Sequence, residues 1–372
     1  MGGVGVGRTI SGTPPTSYSS PQGGGEIQAS RLVRRCVHTT ASFVERGSRP
    51  AVAFYLTSSY AHRTPGAPSM PLYDGPIIDA HHHLWDLSMD RHPWLATAGE
   101  RGGLGDLAPI RHNYLPVDFA RDAAGHNVVA SLHVEAGWRE GDALAETDWI
   151  AGLDRPAGIA CRHVARVALA DAGAPAAIEA QASRALVCGV RDILSWTQDP
   201  ARRFAPRGDL MADPAWRAGL ARLKSHSLIF DLMVFPPQLQ EAARLAADFP
   251  EQVFVLEHGG SPFDRSLEGM ALWREGLTAI ARRANVMLKI SDLVAYDPHW
   301  TLESMRPVIG HCLERFGPQR VMFGSDFPVA GLHASYGDVV GTLKHLTMDL
   351  SSDEQHAVFF ETARQAYGVP VN

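Results

Sequence analysis

The sequence predicts an α/β fold closed into a (β/α)8 TIM barrel behind an N-terminal extension. Three observations carry that expectation. From Pro71 onward, short β-branched or apolar runs alternate with Ala/Leu/Arg-rich helical stretches. That alternation is the pattern of parallel strands joined by right-handed crossovers. Eight such runs in about 300 residues suit a closed barrel. The first strand leads into histidines, not into the GxGxxG turn or P-loop that opens a nucleotide-binding sheet.

The eight strand candidates are 77–83 (IIDAHHH), 128–135 (VVASLHVE), 159–167 (IACRHVARV), 186–194 (LVCGVRDIL), 228–234 (LIFDLMV), 253–258 (VFVLEH), 286–291 (VMLKIS) and 320–326 (RVMFGSD). Helices are expected between them at 142–153, 174–184, 213–225, 237–248, 266–283 and 300–316. Two more, 335–348 and 352–366, close the chain. The last begins with a capping box, Ser351 and Glu354, and stops at Gly368. The Gly- and Pro-rich stretch 86–127 reads as a long, irregular first connection.

Residues 1–70 are a different kind of sequence. They hold 10 Gly, 6 Pro and 10 Ser, and seven Arg without Lys against two acids, a charge of +5. The remainder carries −11 of the net −6. Such a segment cannot bury enough apolar surface to offset its ordering entropy. It reads as a disordered tail or as a non-native upstream extension with the working start at Met70. A third reading is an organellar presequence, because Arg31–Phe43 (RLVRRCVHTTASF) is basic, hydroxyl-rich and acid-free. The catalytic domain is therefore expected over 71–372.

Composition excludes several function classes. Hydrophobic residues make up 45% and charged residues 20%, which is ordinary for a globular chain. No apolar run reaches the ~18 residues a membrane span needs. The net charge of −6 argues against a nucleic-acid surface. Cys36, Cys161, Cys188 and Cys312 lack CxxC spacing, so a reducing, cytoplasmic compartment is expected, or a mitochondrial one if 1–70 is a presequence.

Polar residues at strand ends mark the chemistry. Alternation puts Asp79, His81 and His83 on one face and His82 on the other, so two imidazoles point into the barrel mouth. His258 ends the sixth strand before two glycines that let the backbone bend beneath it. Asp326 ends the eighth, on the face of Met322 and Gly324. Two rigid nitrogen donors and a carboxylate suit a metal or acid–base chemistry. His133 and Glu135 are expected to face inward from the second strand. Arg191, on the fourth, suits a substrate carboxylate, with a surface ion pair as the competing reading. Arg166, Trp138, Asp231 and Lys289 are further strand-end candidates, and Tyr114 could line the pocket from the first loop.

Ile78–Asp86 (IDAHHHLWD), Val255–Pro262 (VLEHGGSP), Val286–Leu293 (VMLKISDL), Arg320–Val329 (RVMFGSDFPV) and the closing Phe359–Gly368 segment resemble the amidohydrolase superfamily. More closely they resemble its amidohydrolase-related lactonase branch, over roughly 71–369. The resemblance implies hydrolysis of a lactone, with His81, His83, His258 and Asp326 as the catalytic set. It implies either one divalent metal, zinc for instance, on His81, His83 and Asp326, or a metal-independent site. A binuclear centre fits less well, because no bridging Lys or Glu ends the fourth strand and the fifth offers Asp231 instead of a histidine.

The expected reaction is Asp326-activated attack of water on a small-molecule lactone from sugar-acid or aromatic catabolism, its carboxylate held by Arg191 and Arg166. The alternative is metal-dependent decarboxylation of an aromatic or enol acid on the same barrel. A non-enzymatic ligand-binding barrel would lack the four catalytic groups. The expected partner is the substrate, with no nucleic acid and no membrane; a homo-oligomer is compatible with the sequence.

Overall fold

The computed structural model describes residues 72–96 and 104–370. The expectations for 1–70 lie outside the described residues. Eight parallel strands follow one another in chain order around one sheet. They are β1 (Ile77–His82), β2 (Val128–Val134), β3 (Arg162–Arg166), β4 (Val187–Arg191), β5 (Ile229–Leu232), β6 (Phe254–Leu256), β7 (Val286–Ile290) and β8 (Val321–Phe323). The ring closes just beyond β8. His83 donates its N–H to the Phe327 carbonyl at 2.7 Å, and Asp326 donates its N–H to the His81 carbonyl at 2.7 Å.

The crossovers are α1 (Pro116–Asp122), α2 (Ala143–Gly152), α3 (Ala174–Ala182), α4 (Pro214–Leu223), α5 (Leu239–Asp248), α6 (Leu267–Ala281) and α7 (Leu302–Phe316). After β8 come α8 (Tyr336–Leu346), α9 (Ser352–His356) and α10 (Thr362–Tyr367). The predicted strands are each trimmed by a residue or more, because their last residues leave the ladder to form the mouth. The first connection is not wholly irregular: it contains α1, with Pro116 at its first turn, where a missing N–H costs nothing. The final helix keeps its capping box at Ser351 and Glu354 and its left-handed stop at Gly368, but a π-turn at Ala357–Glu361 interrupts it.

Two apolar layers hold the barrel. The larger lies between strands and helices and includes Ile77, Trp216, Phe230, Trp273 and Phe323. The smaller fills the barrel interior, where Ile78, Ala80, Ala130, Leu132, Val164, Val255 and Met322 meet Ala363, Tyr367 and Val369 of the C-terminal segment. That segment is tied down by Arg162, whose Nε and Nη2 donate to the Gly368 carbonyl at 3.0 and 2.7 Å. Among the described residues no helix is long and apolar enough to cross a membrane, and Cys161, Cys188 and Cys312 are unpaired.

Candidate active site

The strand ends build a cavity of about 370 Å³ lined by His83, Glu135, Trp138, Arg166, Arg191, His258, Asp292, Tyr296 and Asp326, among others. β1 reaches it through a bulge. Ile78 and Ala80 pack inside the barrel, so Asp79 faces the helices, where Tyr336 donates its hydroxyl to Oδ2 at 3.0 Å. Between Asp79 and His82 the chain takes three residue steps against two, Ser131 to His133, on β2. The extra residue reverses the alternation and turns His81 and His83 inward. The expectation that Asp79 shares their face is therefore corrected. Asp79 holds the bulge from outside: its Oδ1 accepts the N–H groups of His81 at 3.1 Å and Ser325 at 2.9 Å. His82 points away and stacks on Phe119, ring centroids 4.1 Å apart.

The other two elements approach closely. A Cβ on residue 324 would lie 2.7 Å from the Cβ of His81, so only glycine lets β8 pass beside that imidazole. Asp326 then turns through a left-handed backbone, φ 59°, into the mouth. His258 also has positive φ, 55°, followed by Gly259 and Gly260 in the same region. Strained backbone held by its surroundings is common where side chains must be aimed.

His81 Nε2 and His83 Nε2 each lie 3.0 Å from Asp326 Oδ1. The His258 ring lies 4.9 Å from that of His81, and its Nδ1 is 3.0 Å from Ser291 Oγ. Burial pushes His258 down to about 3, so it is neutral. Burial alone would raise Asp326; the charge of His81 and the contacts from His81 and His83 outweigh it and hold the carboxyl well below its usual range. His81 is itself raised: burial opposes its cation, but Glu257 and Asp326 overcome that. Glu257 Oε1 lies 3.2 Å from His81 Nδ1. Asp292 moves the opposite way to Asp326, well above its usual range, through burial and the adjacent Asp326 charge.

The donor set fits a divalent ion. His83 Nδ1 faces the Val134 carbonyl at 2.8 Å, and a carbonyl only accepts, so Nδ1 carries the proton. In the neutral ring Nε2 is then a bare lone pair, aimed at a carboxylate oxygen 3.0 Å away. Two acceptors so close require a proton or a cation between them. The ligand atoms of His81, His83 and Asp326 all lie within 4.8 Å of one another, as do those of His258, Asp292 and Asp326. Nitrogen and carboxylate donors of this kind suit zinc.

Several sequence-predicted residues stand elsewhere. His133 does not face inward: Leu132 and Val134 do. His133 lies in the outer layer, accepting the Leu84 N–H at 3.1 Å and meeting Glu146 of α2 at 3.2 Å. Tyr114 does not line the cavity; its hydroxyl donates to Asp122 at 2.8 Å and its ring packs near Trp85. Lys289 and Asp231 form a fully buried ion pair below the cavity, with the Tyr367 hydroxyl donating to Asp231 at 2.7 Å. Trp138, Glu135, Arg166 and Arg191 do line the cavity. Arg191 is held by carboxylates, however, with Nε donating to Glu135 at 2.8 Å and Nη1 to Glu257 at 3.0 Å.

The family model for amidohydrolases matches residues 78–369, the whole barrel. The chain belongs to the amidohydrolase family. It is 32% identical over 295 residues to protein y4mH of Sinorhizobium fredii, covering 79% of this chain and 98% of that protein. It is 30% identical to an L-fucono-1,5-lactonase of Burkholderia multivorans, covering 79% and 96%. An amidohydrolase of Burkholderia multivorans solved with bound zinc superposes with a TM-score of 0.67 at 26% identity, covering 80% of this chain and all of that one.

Sequence reasoning missed four residues of this amidohydrolase's site: Glu257, Ser291, Asp292 and Tyr296. The signal for Glu257 and Ser291 was present. Val255 and Met287 pack inside the barrel, so period-two alternation carries 257, 289 and 291 inward as well. Asp292 could not be found that way, because its left-handed backbone, φ 51°, breaks the alternation.

Proposed function

We propose that this amidohydrolase opens a lactone ring by water attack, with Asp326 as the general base. The observation that carries the reading is the Asp326 carboxylate, which lines the cavity and whose Oδ1 lies 3.0 Å from Nε2 of both strand-one imidazoles. Kinship to proteins named L-fucono-1,5-lactonase supports the reaction class.

Asp326 takes a proton from water as its oxygen bonds to the lactone carbonyl carbon. The proton passes to the ring oxygen as its bond to that carbon breaks, leaving a hydroxy acid. His81 and His83 point their Nε2 atoms at the same place. Together with Asp326 they would hold one divalent ion, which when bound polarises the carbonyl and acidifies water. The Ser291 hydroxyl accepts the His258 N–H at 3.3 Å and can turn its own proton toward Nδ1, which leaves Nε2–H as a donor to the developing oxyanion. Trp94, Trp138 and Phe204 wall the cavity and reduce access of bulk water.

A pH-indicator screen of sugar and aromatic lactones, run with and without chelator, tests this reading. One acid equivalent per ring opened is the expected signal. Release of CO₂ from aromatic or enol acids, with no lactone turned over, would favour decarboxylation instead.

A further inference from the structure

Glu257 joins a row of buried charges to His81. It follows β6 directly, and its N–H still donates to the Leu232 carbonyl of β5 at 3.1 Å, so its backbone is held by the ladder. Acids and bases alternate along the row, and all are buried. Arg191 Nε donates to Glu135 at 2.8 Å, and its Nη1 donates to Glu257 Oε2 at 3.0 Å. Lys289 Nζ lies 3.7 Å from Glu257 Oε1 and pairs with Asp231. Buried ions are tolerated only when each is answered in this way. Glu257 is the middle member, fixed by a cation on either side.

Its second oxygen meets the site. Glu257 Oε1 lies 3.2 Å from His81 Nδ1, and both side chains are fully buried. Among the described residues neither atom finds a hydrogen-bond partner elsewhere. The pair stands at hydrogen-bonding distance but off the ideal angle. Catalytic hydrogen bonds often tighten only when substrate binds. A carboxylate paired with two cations only accepts, so the proton between the two atoms belongs to Nδ1. Nε2 is then the atom presented to Asp326 Oδ1, 3.0 Å away, the orientation that the Val134 carbonyl gives His83.

We propose that Glu257 is a positioning residue: it grips the Nδ1–H of His81 and aims Nε2 at Asp326, while Arg191 and Lys289 hold Glu257 in place. This rests on the reading of His81 and Asp326 as groups of the reacting site, not on the lactone. Arg191 thereby has a task in the cavity wall other than holding substrate. Carboxylates that orient a site imidazole from behind are worth about 10–100-fold in activity. One that served only to balance Arg191 and Lys289 would leave the His81 ring indifferent to its loss.

Nitrogen-15 NMR of the histidine rings in metal-free protein tests this, with the His81 signals assigned by their loss in His81→Gln. In wild type Nδ1 should carry a proton. In Glu257→Gln the amide oxygen should stay with Arg191, which needs an acceptor, and the amide N–H should face Nδ1, which then loses its proton. On the best lactone from the screen, kcat of this variant should fall about 10–100-fold with KM little changed, and circular dichroism checks its fold. A wild-type Nδ1 without a proton, His81 signals that Glu257→Gln leaves unmoved, or an undiminished kcat overturns the proposal. Should the variant not fold, the wild-type spectrum decides by itself. The spectra need no turnover. A Glu257-dependent Nδ1 proton with no lactone opened would therefore defeat the lactonase reading and keep the positioning role. Lactone turnover with His81 signals indifferent to Glu257 would do the reverse.

Discussion

His83 is aimed by Val134. The Nδ1–H of the imidazole donates to the Val134 carbonyl at 2.8 Å, and this one bond fixes the tautomer and turns Nε2 toward Asp326. The carbonyl belongs to β2, so the register between β1 and β2, bulge included, sets where the site's nitrogen donors point. Outer bonds that orient metal-binding histidines usually matter about 10–100-fold to affinity or activity.

Purified protein is therefore expected to carry a divalent metal. Chelation should lower kcat, and zinc should restore it. His83→Ala should lower metal content per chain, read by elemental analysis. Full activity in protein stripped of metal would show that protons, not an ion, answer the facing lone pairs.

Gly324→Ala should injure the site through geometry alone. The new Cβ would lie 2.7 Å from that of His81, flanked by the Ser291 Cβ at 3.3 Å. Overpacking of this kind costs about 1–3 kcal/mol. A displaced His81 should lower kcat by about tenfold or more, since small misplacements of reacting groups cost up to 10². Thermal unfolding and kinetics on the same sample check both, and unchanged values would mean that the strand can shift without cost.

Glu146 should make stability depend on pH. Burial, with the nearby Glu135 charge, pushes its carboxyl from 4.5 up to about 8. Between those values the folded chain keeps a proton that the unfolded chain has released, so this group's contribution falls as pH rises through the window. Glu146→Gln mimics the protonated form. Its melting temperature relative to wild type should rise from pH 5 to pH 8, and a difference that stays constant with pH would contradict the assignment.

Lys289→Met should destabilise the fold by about 3–5 kcal/mol, because it leaves Asp231 buried without its cation. Asp231 is fully buried and, among the described residues, would retain only the Tyr367 hydroxyl as a side-chain hydrogen-bond donor. Removing both charges, in Lys289→Met with Asp231→Leu, should recover part of that loss. Denaturant titration reads both, and additive losses would rule out the coupling.

The eight strands and their order were legible because parallel strands buried on both faces leave apolar runs that composition alone reveals. The meeting of His81, His83, His258 and Asp326 at the ends of β1, β6 and β8 was legible because charged and imidazole groups are rare at such positions. What was not legible is which way individual side chains point. A one-residue bulge, unmarked in the letters IIDAHHH, reverses the face after Ala80 and sends Asp79 outward. His133 was misread because Leu132 and Val134, not their neighbours, fill the barrel. Arg191 looks like a clamp until Glu135 and Glu257, distant in sequence, are seen to occupy it.

Turnover by Asp326→Asn, measured against wild type on the best lactone from the screen and beside a circular dichroism spectrum, tests the account most directly. The account predicts a folded protein whose kcat falls about 10²–10⁴-fold, the scale of a lost acid–base group. A folded variant with undiminished turnover would contradict it.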